Sequence, residues 1–163
     1  MLGKRNFWAV FILVVCGLHF NASAAPEVNT LKDGLAGALG MRSDIAILGY
    51  DTVSYHTEGV GAKGDEKYAY EWKKAVWLFV NEANLELFKK DPEKYAPEYG
   101  GYCAFGLSEG GLHGIDPTKF EVSGGKLYLN NDDSTLKKWI KMADGKYKAA
   151  GDTYNTLTGQ AGR

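Results

Sequence analysis

Three side chains in this sequence have the chemistry to act on a ligand: His56, Cys103 and His113. Beyond the first 24 residues they are the only thiol and the only imidazoles. All three lie in Gly-rich stretches, "GYDTVSYHTEG", "YGGYCAFGL" and "GGLHGID". A thiolate with two imidazoles is a soft, nitrogen-rich set that suits copper or zinc. Separations of 47 residues (56 to 103) and 10 residues (103 to 113) match no local metal motif, so the fold has to bring the three together. Plainer roles stand beside this one. Free Cys is among the most buried residue types, so Cys103 also reads as a small core filler. His56 also reads as a loop pin bonded to a backbone carbonyl, and His113 as a surface loop residue. A nucleophilic cysteine needs a base and an orienter. His56 or His113 with Asp51 or Asp116 would supply them, but no spacing supports the set, and no helix start is evident after Cys103 to activate it. Asp51 reads as a turn former that could also stand in a pocket wall. Tyr55, Tyr99 and Tyr102 read as packing rings that could wall a pocket beside Cys103.

The elements that must position these groups begin after an N-terminal leader. Lys4 and Arg5 precede an apolar run from Phe7 to about Leu18, and small residues follow. Basic, apolar, small is the order of a secretory signal peptide. The run is shorter than the roughly 20 apolar residues a membrane span requires. Ala22-Ser23-Ala24 fits the small-x-small cleavage rule, so residues 1–24 are expected to be removed and Cys16 is a spectator in the apolar run. The remainder is one ordinary domain. It keeps 17 of the 19 basic side chains against 20 acidic ones, a formal charge of −3. No basic stripe suggests nucleic acid as a partner, and no second apolar segment is long enough to span a bilayer. One cysteine cannot close an internal disulfide.

Residues 25–44 read as a flexible arm or linker that could dock on the domain, because Gly34, Gly37 and Gly40 interrupt the leucines. From Ile45 the patterns sharpen. "KYAYEW" alternates and "AVWLFV" is a run of strand formers, which together predict a hairpin without an Asn-Gly turn. Asn81 is placed to cap a helix carrying Leu85 and Phe88. Asp91-Pro92 stops that helix and starts a short one. "KFEVSGGKLYL" predicts a second hairpin turning at Ser123-Gly124-Gly125. Asp132 or Asp133 caps a last helix with an apolar face of Leu136, Trp139, Ile140 and Ala143. The tail, 151–163, is expected to fray. Strands and helices are segregated, so the fold class is α+β: a small antiparallel sheet built from two hairpins, packed with two to four short helices. One core should hold Trp72, Trp77, Phe79, Leu85, Phe88, Leu127, Leu129 and Trp139.

The segments "GYDTVSYHTEG", "WLFVNEANLELFKKDPEKYAPEYGGYCAFGLSEG" and "DPTKFEVSGGKLYLN", with the late Trp-containing helix, resemble the YHS-domain family of small exported bacterial proteins. The likeness runs over about residues 45–145, within a domain of residues 45–150. Tyr55-His56-Thr57 takes the place of the name-giving Tyr-His-Ser. The resemblance implies kinship with cysteine-rich modules that bind heavy metals through a "DPVCGM"-like loop and an "FCS…C"-like strand end. Here Ser54 and His56 stand where that loop has Cys and Met, and "FVNEANLELF" has no Cys. The resulting expectation is an exported, periplasmic, non-catalytic binding module. Its ligand, a metal ion (copper or zinc) or a small molecule, would lie where the His56 and Cys103 loops meet. Two other classes stand beside it: a protein-interaction domain docking a periplasmic partner, and a cysteine-dependent enzyme.

Overall fold

The computed structural model describes residues 24–30 and 44–161. The signal peptide assigned to residues 1–24 lies outside them except for Ala24, as does most of the arm, residues 31–43.

The fold is α+β. Strands β1 (Tyr50–Asp51) and β2 (Ala62–Lys63) flank helix α1 (Thr52–Thr57). The first hairpin is β3 (Asp65–Trp72) and β4 (Ala75–Phe79), followed by α2 (Glu82–Lys90) and α3 (Pro92–Tyr95). A tight turn at Glu98–Gly101 leads to α4 (Ala104–Ser108). The second hairpin is β5 (Asp116–Ser123) and β6 (Lys126–Asn130). Helices α5 (Asp133–Lys141) and α6 (Gly145–Leu157) close the chain. Among these residues no helix is long and apolar enough to cross a membrane.

The local signals act as their chemistry dictates. The Asn81 side chain accepts from Asn84 N at 2.9 Å and caps α2. Asp91 closes α2 and caps α3, with Pro92 at the first helical position. Asp132 forms a capping box with Thr135 on α5. Gly124 and Gly125 take φ of 59° and 78°, the left-handed pair a two-residue hairpin requires.

The two hairpins do not merge into one sheet. The described strands form three separate two-stranded antiparallel ribbons, β1–β2, β3–β4 and β5–β6. The outer edges of β4 and β6 are taken by other segments. Ala46 N donates to Val76 O at 2.9 Å and Val76 N to Asp44 O at 2.8 Å, which covers β4. Pro97 bridges Leu127 and covers β6. An edge paired to a short segment is closed to a further strand.

The expected single core is divided. Trp77, Phe79, Leu85, Phe88, Leu127 and Leu129 share one cluster, with Trp72 packed against it. Trp139 belongs to a second cluster with Ala104, Leu107, Tyr128 and Ala150. The period of two along β6 explains the division: Leu127 and Leu129 face one cluster and Tyr128 the other. On α5 only Trp139 is buried, while Ile140 is 52% exposed.

Both ends of the domain also depart from expectation. Within the tail expected to fray, residues 151–157 continue α6, whose Ala150 is fully buried, and residues 162–163 lie outside the described residues. Residues 24–30 of the arm form a strap docked on the domain, with Val28 only 3% exposed. Asn29 N donates to Gly100 O at 2.8 Å and its side-chain amide to Gly101 O at 3.0 Å. Tyr154 Oη donates to Glu27 O at 2.8 Å and Tyr102 Oη to Pro26 O at 3.0 Å. A Cβ at Gly100 would stand 1.9 Å from Glu27 O, so glycine is required there. Trp139→Ala should cost about 3–5 kcal/mol in urea denaturation, since the ring is fully buried in the second cluster. A loss under about 1 kcal/mol would mean that this cluster adds little to stability.

Candidate functional site

Asp51 is an anchor rather than a turn former. Its carboxylate is fully buried. Oδ1 accepts from Val53 N at 2.8 Å and Ser54 N at 3.4 Å, capping α1. Oδ2 accepts from Val80 N at 2.9 Å and from the Asn84 amide at 2.7 Å. Every partner is a donor, the pattern an acceptor-only carboxylate needs. All of these contacts are structural. Tyr55 is fixed in the same way: Oη donates to Pro117 O at 2.7 Å and the ring meets Phe120 edge-on at 4.7 Å. Burial, above all, raises its phenol well above the ordinary range.

His56 is half-buried, with its ring edge-on to Tyr95 at 5.6 Å. Desolvation lowers its pKa, nearby Lys94 lowers it further, and a hydrogen bond with the Tyr95 backbone opposes both. Nε2 is buried without a partner. This is a neutral imidazole pinning the chain to α3.

Cys103 is 1% exposed and free. A helix does start directly after it, against expectation, and Cys103 is its N-cap: Gly106 N donates to Sγ at 3.5 Å. The sulfur also lies 4.0 Å from Asn130 Oδ1, which accepts from Phe105 N at 3.3 Å. Cys103 N donates to His113 O at 3.2 Å. The glycines here seat a ring rather than the thiol. A Cβ at Gly106 would come within 2.4 Å of His113 Cδ2, and one at Gly111 within 2.9 Å of its Nε2. The structure thus brings Cys103 and His113 into one loop. No hydrogen bond, ion pair or ring contact among the described residues joins His56 to either.

A copper or zinc centre needs three or four donors at about 2.0–2.3 Å. Among the described residues no group of three or more His, Cys, Asp or Glu side chains could hold an ion. The set His56, Cys103 and His113 therefore does not fit a closed metal centre. Asp51 is consumed by α1 and α2, and Asp116 binds its own Thr118, so neither orients an imidazole beside Cys103.

A cleft remains. It holds about 360 Å³ between the strap and the loop after α4, and Pro26, Thr30, Leu48, Tyr102, His113 and Ile115 line it. His113 is exposed there, and the Thr30 hydroxyl has no partner. Tyr99 lies elsewhere. Its Oη donates to Tyr147 O at 2.9 Å, and burial pushes its phenol up. It faces a smaller cavity of about 160 Å³ behind the strap, lined also by Trp72, Trp77, Glu93 and Tyr154. Lys73 sits there, 2.9 Å from Glu27, 3.1 Å from Glu93 and 4.5 Å over the Trp72 ring. Sequence reasoning missed the strap as a wall of both cavities and missed this lysine latch. Neither has a local signal, because the partners lie dozens of residues apart. Asn130 was findable, as a polar residue ending an otherwise apolar strand.

Comparison with family models, curated proteins and solved structures finds no match.

Asp51→Ala removes an N-cap worth about 1 kcal/mol and leaves several buried donors unpaired, each costing about 1–3 kcal/mol. The expected loss in urea denaturation is at least about 3 kcal/mol, and a loss near that of a surface substitution would refute the anchor. His56 has a distinct pH signature. Its folded pKa lies below the unfolded one, so acid protonates the unfolded chain first. Stability is then present above the unfolded pKa and declines as pH falls below about 6.5. His56→Gln should flatten the stability curve between pH 7 and 5, and an unchanged slope would show that the ring titrates freely when folded.

Proposed function

We propose that this chain is an exported, periplasmic, non-catalytic binding module of the YHS type, taking a small molecule into the cleft between the strap and the His113 loop. The observation that carries this reading is the cleft itself. It is the place where the exposed His113 ring, and Tyr102 with its hydroxyl donating to Pro26 O, meet an apolar wall of Leu48, Leu112 and Ile115. A few polar groups on a mostly apolar concavity is the usual composition of a small-ligand site. The remaining candidates support a binding role over a reaction, because Asp51 and Tyr55 are committed to structural hydrogen bonds and Cys103 to a helix cap. The copper or zinc version of this module rests on the donor types of His56, Cys103 and His113 and on the resemblance.

A fragment screen by amide NMR tests both versions. Binding should shift resonances centred on Tyr102, His113 and Ile115. His113→Ala should weaken it at least tenfold, and His56→Ala should leave it unchanged. Shifts centred elsewhere, or indifference to His113→Ala, would end the cleft reading. Zinc or copper held tightly and lost equally in His56→Ala and Cys103→Ser would replace the cleft with a metal centre.

A further inference from the structure

Helix α6 is the longest helix described, and it ends without a cation. No Lys, Arg or His lies in its last turn. By contrast α2 ends on Lys89 and Lys90, and α5 carries Lys138 and Lys141 in its last turn. The last carbonyls of a helix lack intrahelical donors and carry roughly half a negative charge, which a cation offsets. One of these carbonyls is met from outside the helix. Ala25 N donates to Leu157 O at 3.0 Å. The same helix end reaches back to the strap, through Tyr154 Oη to Glu27 O.

We propose that removal of the leader between Ala24 and Ala25 makes the new α-ammonium the missing cation of α6, and that this charge pins the strap. The inference rests on the export reading and not on the ligand cleft. Water, with a leader peptidase as catalyst, breaks the Ala24–Ala25 peptide bond. Ala24 leaves with the new carboxylate, and Ala25 keeps the nitrogen as an ammonium with three donors. One of them continues the bond to Leu157 O.

The titratable groups around Ala25 are Glu27 on the strap, Lys73 and Lys74 on the β3–β4 turn, Tyr154 on α6, and Tyr102 and His113 across the neighbouring cleft. All are present in both arms of the test, so their titration cancels. The protein is purified from an exporting host, and half is acetylated selectively at the α-amine near neutral pH. An amine that gains a partner has its pKa raised above the unfolded value of about 7.7–8.0. Its stabilisation is complete below that value and is lost as pH rises through the folded pKa. At pH 6.5 the free-amine protein should melt about 1–4 °C higher than the acetylated one, and by about pH 10 the gap should close. A gap of equal size at both pH values, or none at pH 6.5, overturns the cap. An N-terminus by mass spectrometry other than Ala25 overturns the cleavage site and the cap together, and leaves the ligand cleft untouched.

Discussion

The buried carboxylate of Asp51 is the contact on which the most elements converge. It ends β1, caps α1, receives the backbone N–H that follows β4 and holds Asn84 in the first turn of α2. A buried acceptor of this kind is stable only when its lone pairs are filled, and four donors fill them. The reverse also holds: Val80 N–H and the Asn84 amide would be left without this acceptor if the carboxylate were removed. The position of α1, and with it of Tyr55 in the first cluster and His56 against Tyr95, follows from this one side chain.

A second constraint operates at the strap. Among the described residues five other than glycine have positive φ: Ile47, Leu48, Lys73, Lys74 and Tyr99. Each such conformation costs about 1–2 kcal/mol, and it persists only where the surroundings over-determine it. All five lie where the strap meets the domain. Ile47 N donates to Asn29 O, Leu48 lines the cleft with Thr30, and Lys73 pairs with Glu27. Lys74 and Ala25 line a separate cavity beside the strap, and Tyr99 precedes the Gly100 carbonyl that accepts from Asn29. The strain and the strap are thus parts of one arrangement. The strap bonds the backbone at Ile47 and Gly100 and pairs with Lys73, and it also forms walls of both cavities; at Lys73 and Lys74 the two-residue turn of the β3–β4 hairpin, closed by Trp72 opposite Ala75, itself requires positive φ.

The sequence by itself determined what depends on near neighbours. The caps at Asn81, Asp91 and Asp132, the Gly124-Gly125 turn and the α+β class follow from side chains that satisfy backbone groups two or three residues away, and from periods of two and 3.6. Tertiary structure decided what depends on distant partners. "YDTV" reads as a turn, and only Val80 and Asn84, some 30 residues on, make its aspartate an anchor. In the sequence the glycines around Cys103 name no partner, and only the fold shows Gly106 and Gly111 making room for the His113 ring and Gly100 for the Glu27 carbonyl. The two hairpins read as one sheet, until Asp44–Ala46 and Pro97 occupy the edges that would have joined them. The same distinction governs the candidate site. His113 is ten residues from Cys103, across the short helix α4 and the loop after it, near enough for sequence to propose. His56 is held away on Tyr95 by an edge-on ring contact and a hydrogen bond with the Tyr95 backbone, and no local pattern encodes that choice.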